Sequence, residues 1–406
     1  MLIEHRNLAD TKVLIIWPNG PHSLGFMLKP FLQKQRREES VSFTYIGHPI
    51  PLRQSLFRES ECLIATGTMA PKRIVLPRKG YVGLASLLTD WGLTTLFLAM
   101  VRRRHDVCMT MGLHYNLMGI ILKKLGVTKQ SVIVFEEYRS LMYKKAFMRR
   151  LYRQGTVWCC KQADLIVYTT SLIRTALAND GIEIDPSKQM LVPLPLDHSE
   201  FGSRPREEIV PDSILWAGQL TDDYGFELVI DAIELVAKSK PTIRVTVMSY
   251  TPLPDYLKKK MQDRGLDNYF HMLGFIKDED EFRNNIRQHR VALALYRPAD
   301  TVKKHADVIR PWVYMANGVP HIINRLPAVA AKIEEAGAGI VIDYDKKQLA
   351  DAILTLLTDD SLHESCRQNG LKMAESRDSV PIFTSLFNRL RIHIDNMPNS
   401  GCHPPT

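Results

Sequence analysis

A chain of 406 residues is too long for one ordinary hydrophobic core, and two domains of about 200 residues each are expected. With 45% hydrophobic and 24% charged residues it has the balance of a soluble globular protein, and no stretch reaches the roughly 18 uninterrupted apolar residues of a spanning helix. The net charge of +9 is divided unevenly: residues 1–205 hold 28 Lys and Arg against 16 Asp and Glu, a net +12, and residues 206–406 hold 25 against 28. Such an asymmetry points to an anionic partner for the first half, and the lack of any helix-turn-helix, RNP or zinc-finger signature sets nucleic acid aside. The six cysteines show no CxxC or Cys/His zinc spacing, so reduced, buried thiols in a cytosolic protein are expected. The polar opening residues carry no secretory signal pattern.

Lys12–Trp17 is a short apolar run rich in β-formers, followed by the turn PNGPHSLGF. Strand, glycine turn and helix are the opening of a Rossmann-like half. The turn has no GxGxxG, so dinucleotide binding is weakly supported. Gly20, His22 and Gly25 either serve the turn alone or let a sugar or phosphate approach. Further on, Lys72, Arg73, Arg78 and Lys79 precede an apolar stretch, Tyr81 to Val101, broken by Asp90 and closed by Arg102, Arg103 and Arg104. Basic residues flanking such a helix predict that it lies on an anionic membrane surface. The alternative is a core helix with a solvated basic end. Lys123, Lys124 and the cluster from Lys144 to Arg153 add to the basic character.

Asp106–Met111 and Ser131–Phe135 are predicted as buried strands. Ligand sites in open parallel sheets lie outside strand carboxyl ends, which makes His114, Glu136 and Glu137 catalytic candidates. The competing readings are a loop histidine and an ion pair of the glutamates with Arg139. Ala163–Thr170 is a further strand, and residues 203–212, polar with two prolines, read as a linker. A second βα series follows, with strands at Ser213–Ala217, Ile243–Met248, Tyr269–Leu273, Val291–Leu295 and Ala336–Ile342. Within it, residues 309–324 predict a short helix capped by Asn317-Gly318, then a buried strand from His321. Arg310 stands at that helix N-terminus, where dipole and charge together favour an anion. A last helix covers about 381–398, and 399–406 read as a disordered tail.

Three passages resemble the GT-B glycosyltransferases, and more narrowly the retaining, nucleotide-sugar-dependent family 4-like, group 1 enzymes. Ala163–Val167 through Pro193–Phe201 is similar to "aD.iiv.s … vip.gvD…F", Ile214–Leu220 with Gly225 to "..vGrl…KG", and Tyr314–Pro320 to "EymA.G.PV". The resemblance implies an α/β protein of two Rossmann-like domains with a cleft between them and a C-terminal closing helix. It implies residues 1–202 as an acceptor-binding, membrane-facing domain and 213–380 as the donor domain. Donor contacts carried over are Gly218, Gln219, Tyr224, Lys304, Arg310, Val313, Tyr314 and Gly318, with Gly20, His22 and Gly25 on the acceptor-side loop. Gln219, Tyr224 and Val313 stand where the family has Arg, Lys and Glu, and Arg310 with Lys303 and Lys304 is expected to replace the lost charge. The implied activity is metal-independent transfer, without a cofactor, from a nucleotide-diphosphate sugar to a lipid-linked or glycan acceptor. Its setting would be polysaccharide or glycolipid synthesis at the cytoplasmic membrane face. The departures keep open a degenerate subunit that binds a partner, and the fold keeps open a nucleotide-sugar epimerase.

Overall fold

The computed structural model describes residues 11–19, 28, 31–32, 42–49, 59–66, 70–77, 84–138, 145–197, 202–221, 224–299 and 302–395. In the first half the chain runs through β1 (Lys12–Asn19), β2 (Ser42–Pro49), β3 (Glu59–Ala65), β4 (Lys72–Pro77), α1 (Leu84–Val101), β5 (His105–Met111) and α2 (Leu113–Lys124). It continues through β6 (Thr128–Phe135), α3 (Ala146–Gln162), β7 (Leu165–Tyr168), α4 (Ser171–Asn179) and β8 (Gln189–Leu191). These strands form one sheet in the order β4-β3-β2-β1-β5-β6-β7-β8. It is parallel except where β3 joins β2 and β4. Val13–Trp17 and Val132–Phe135 are buried throughout, as strands covered on both faces must be.

The edge of this sheet corrects one expectation. Lys72 and Arg73, read as the basic flank of a helix, belong to strand β4, and Arg73 Nε bonds Glu61 Oε2 at 3.0 Å. Charged residues on an outermost strand deter further pairing. Arg78 and Lys79 lie outside the described residues. Helix α1 packs on the core through Phe97 and, partly buried, Trp91, Leu93, Leu98 and Val101, but it also turns polar residues inward. Ser86, Asp90, Thr94 and Phe97 face inward, while Leu88, Leu96 and Met100 are 63%, 48% and 51% exposed. A buried network reaches this inward polar strip. His48 bonds Ser60 Oγ (2.9 Å) and Thr94 Oγ1 (2.8 Å), and the Tyr115 hydroxyl donates to Asp90 (2.9 Å).

In the second half come β9 (Val210–Ala217), α5 (Phe226–Ser239), β10 (Arg244–Met248), α6 (Asp255–Asp263), β11 (Phe270–Gly274), α7 (Glu279–Arg287) and β12 (His289–Ala294). After them come α8 (Ile309–Ala316), β13 (His321–Asn324), α9 (Val329–Ala336), β14 (Ile340–Ile342), α10 (Lys346–Thr358), α11 (Asp360–Ala374) and α12 (Ser379–Asp395). The six strands are parallel in the order β11-β10-β9-β12-β13-β14. Strand β9 opens at Val210, inside the polar stretch, because Val210 N–H bonds the carbonyl of Gln288 (2.8 Å). The helix ahead of β14 takes residues 329–336 and stops at Gly337, whose φ of 59° ends it in the left-handed conformation.

Helix α12 returns to the first sheet. Phe383, Leu386, Phe387 and Leu390 are buried in the same core as Val13, Trp17 and Phe43, and Phe31 packs on Phe383 and Phe387 at 4.9 and 6.1 Å. A clamp joins the halves beside it. Asp307, ahead of α8, accepts from Arg377 (2.5 Å) and from the Leu194 N–H (3.1 Å). Arg377 also donates to the Leu194 carbonyl (3.1 Å) and stacks 3.9 Å from the Trp312 ring centre. Cys62, Cys108, Cys159, Cys160 and Cys366 are buried free thiols, and no described helix is long and apolar enough to cross a membrane.

Several histidines are held neutral. Burial pushes the His321 imidazole down to about 3, and both its ring nitrogens are buried without a hydrogen-bond partner. Burial, aided by Arg103, pushes His105 down to about 4, and burial also lowers His289 and His363. In the unfolded chain these groups take up protons near pH 6.5. Between that value and the folded values the unfolded state binds more protons, so stability falls as pH drops from about 6.5. Thermal melts from pH 7.5 to pH 4.5 should show that decline. His321→Leu should gain on the wild type as pH falls, and parallel profiles for the two proteins would contradict the assignment.

Candidate active site

The site grows from the carboxyl end of β9. Tyr314 of α8 is buried, and its hydroxyl accepts from the Ala217 N–H (3.1 Å) and lies 3.3 Å from the Leu293 carbonyl. That contact fastens α8 over the strand ends. Gly218 follows, with its N–H on the Met248 carbonyl (2.9 Å). A Cβ at Gly218 would stand 2.9 Å from Arg310 Cζ, so glycine is what leaves room for the guanidinium.

Arg310 lies in the first turn of α8 and is 9% exposed. Its Cζ sits 4.7 Å from the ring centre of Trp216, 4.5 Å from Tyr224 and 5.0 Å from Tyr296. Three aromatic faces stabilise a cation by about 0.5–2 kcal/mol each when desolvated. Its Nη1 and Nη2 atoms have no hydrogen-bond partner among the described residues. A buried charge is ordinarily paired. The first N–H groups of α8 also lack intrahelical acceptors, so positive potential is gathered at one point. The box is rigid: Asn324 bonds both the N–H (2.8 Å) and the carbonyl (2.9 Å) of Tyr296, and Tyr224 bridges to Tyr296.

The remaining sequence candidates take different places. Gln219 bonds the Tyr250 hydroxyl, and Val313 packs, partly buried, in the core beneath the box. Gly318 has φ 64°, and a Cβ there would meet Ser203 at 2.6 Å, so it serves the cap and the crossing chain. Lys304 is exposed, whereas its neighbour Lys303 crosses the cleft to Glu137 (2.6 Å) and lies 5.7 Å from the Tyr224 ring centre. On the facing side, His114 lies in the first turn of α2, which follows Gly112 (φ 89°), with its ring centre 3.7 Å from that of Tyr115. Glu136 and Glu137 follow β6, both half-buried. Gly20, His22 and Gly25 lie outside the described residues, as does Arg139, the partner suggested for the glutamates. Arg297 is engaged by Glu227 (2.8 Å). No group of three or more His, Cys, Asp or Glu that could hold a metal ion occurs among the described residues.

Sequence reasoning did not single out Trp216 or Tyr296. Trp216 reads as one more apolar residue of a buried strand and Tyr296 as the residue just past the end of one, and only Arg310 arriving from α8 makes them a box.

Two parallel-sheet domains with facing carboxyl edges and a last helix crossing back are the GT-B fold. Residues 211–359, the body of the second domain, match the family of Glycosyl transferases group 1. Sucrose-phosphate synthase from Thermosynechococcus elongatus superposes with a TM-score of 0.69 at 12% identity, over 95% of this chain and 99% of that one. Anabaena Alr3699/HepE in complex with UDP-glucose gives 0.64 at 13% identity, over 95% and 100%. TarM gives 0.60 at 12% identity over 81% of this chain, which spans only 63% of TarM. No curated protein sequence matches the chain.

A structural guanidinium and a ligand-binding one differ in what removal does. Arg310→Met keeps the stem and removes a buried charge that has no anion, a change often neutral or favourable to stability. We expect the unfolding free energy to fall by less than about 1 kcal/mol, or to rise. A loss well beyond that in urea titrations would mark Arg310 as part of the scaffold.

Proposed function

We propose that the protein is a glycosyltransferase that takes a sugar from a nucleotide-diphosphate donor in the second domain and passes it, with retention, to an acceptor held by the first. The observation that carries this reading is the buried Arg310 guanidinium, stacked in its aromatic box at a helix N-terminus with no anion beside it among the described residues. Negative charge grows on the leaving phosphate as the glycosidic bond breaks, and donors placed beforehand at that point stabilise the transition state most. Arg310 and the N–H groups of α8 are those donors. Gln219 and Tyr224 lack the charge that Arg and Lys would bring, but the cation supplied by α8 lies against Gly218 and Tyr224, in the same corner. His114 faces the transferred sugar, and Glu136 or Glu137 orients the acceptor hydroxyl or takes its proton. The reaction asks for no cofactor and no metal. A catalytically degenerate subunit is the second reading, favoured by Gln219, Tyr224 and Val313, and it predicts donor binding without turnover.

The acceptor is a lipid-linked or glycan chain at the cytoplasmic face of an anionic membrane. Supporting this are the outward apolar face of α1 and the exposed Arg102 and Arg104 at its end, in the half that carries all of the positive excess. Arg103 differs: its guanidinium bonds Thr66 (3.0 Å). The exposed Phe147 and Leu151 of α3, beside Arg149 and Arg150, extend the same character.

Calorimetric titration with UDP, GDP and ADP should find one binder, and Arg310→Ala should weaken it by about 1.5–3 kcal/mol, a charge-assisted contact. Slow release of nucleoside diphosphate from the matching sugar nucleotide, without acceptor, separates an enzyme from a degenerate subunit. Failure of all three nucleotides to bind would sink the donor assignment.

Binding to phosphatidylglycerol vesicles should weaken as salt rises without vanishing, since each basic side chain contributes about 1 kcal/mol and the apolar face is insensitive to salt. Arg102→Glu with Arg104→Glu should weaken the salt-sensitive part, and Leu88→Ser with Leu96→Ser the rest. Equal binding by all variants, or none by the wild type at low salt, would return α1 to a purely structural role.

A further inference from the structure

The ion pair between Lys303 and Glu137 joins the two walls of the cleft at its chemical centre. Lys303 lies between β12 and α8, and Glu137 just beyond the carboxyl end of β6. The nitrogen–oxygen distance is 2.6 Å, and the side chains are only 17% and 21% exposed. Lys303 Nζ also stands 5.7 Å from the centre of the Tyr224 ring, the ring against which Arg310 Cζ rests at 4.5 Å. Two cations thus share one aromatic ring. One has no anion on its Nη atoms, and the other takes its anion from the opposite domain.

We infer that Lys303 is a second positioning cation for the donor, and that it exchanges Glu137 for the donor diphosphate when the nucleotide sugar binds. This rests on the donor reading above. Without donor, Lys303 and Arg310 repel each other across the Tyr224 ring, and Glu137 offsets that repulsion. A diphosphate beside Arg310 brings more negative charge than one carboxylate, so it competes for Lys303 and repels Glu137. Once released, Glu137 has its acceptor capacity restored on the first-domain wall, where an acceptor hydroxyl can donate to it. No covalent step is involved. The exchange favours ordered binding, because Glu137 turns from Lys303 toward the acceptor once the donor has arrived. A merely structural strut between the domains would behave differently, since breaking it would alter stability without improving nucleotide affinity.

The test is a double-mutant cycle read by calorimetric titration of UDP, with GDP and ADP as alternatives, into the full-length wild type, Glu137→Gln, Lys303→Met and the double variant. Circular dichroism melts confirm folding, and Lys303→Arg is the charge-keeping control. Loss of one charge-assisted contact should make Lys303→Met bind about tenfold more weakly or worse. Glu137→Gln should bind about threefold more tightly or better, because Lys303 no longer has to be drawn away. That gain should disappear in the Lys303→Met background, and Lys303→Arg should stay close to the wild type. Equal tightening by Glu137→Gln in both backgrounds would overturn the exchange, leaving Glu137 as a simple repulsive charge. Unchanged or weaker binding by Glu137→Gln would also overturn it and make the pair a strut. Binding by the wild type with no effect of Lys303→Met would reject the role of Lys303 alone. No binding of any of the three nucleotides by the wild type would remove the donor reading and this inference with it.

Discussion

A guanidinium taken out of water without an anion is the constraint that organises the second domain. Burying a charge is costly unless something compensates it, and at Arg310 the compensation is aromatic rather than ionic. The neighbouring structure answers to that need. A side chain at 218 would collide with the guanidinium, the Tyr314 hydroxyl pins α8 to the ends of β9 and β12, and Asn324 locks the backbone of Tyr296. These positions form a scaffold around a charge that would be less costly elsewhere, as expected where local stability gives way to a task.

The cleft depends equally on how the two sheets are held to each other. Asp307 takes hydrogen bonds from Arg377 and from the Leu194 backbone, so one carboxylate ties the segment before α8 to the ends of both chain crossings. That segment also carries Lys303. The clamp therefore sets how far Lys303 must reach to meet Glu137, and a change at Asp307 would be felt in the cleft as a change of distance rather than of chemistry.

Much of the architecture was legible because parallel strands covered on both faces leave continuous apolar runs such as Val13–Trp17 and Val291–Leu293. The helix, cap and strand at 309–324 were equally readable, since Asn317-Gly318 and Pro320 punctuate the chain unmistakably. Strands β2 and β3 went unread; β4 was taken for a basic flank because an edge strand carrying Lys and Arg resembles a polar turn. Helix α1 shows another limit. Its composition announced exposed apolar residues and basic ends, but not that Asp90 and Thr94 would turn inward onto Tyr115 and His48, which lie far away in sequence. In the site, Arg310 could be placed from the helix start alone. The choice between Lys303 and Lys304 could not, because adjacent loop residues point in directions set only by tertiary contacts.

The return of α12 to the first sheet has a consequence for how the chain is made. Val13, Trp17 and Phe43 emerge from the ribosome early, but Phe383, Leu386 and Phe387, which complete their core, emerge more than 300 residues later. During that interval one apolar face of the first sheet lacks its cover, while the second domain, whose own core draws on residues 214–366, can already close. Domains generally fold as units during synthesis and in order from the amino end, and exposed apolar surface in the interval invites aggregation. Here the order is reversed: the domain translated first is the last to be finished. Its dependence on chaperones during translation should be set by the distance between Phe43 and Phe383 along the chain rather than by the stability of the finished fold.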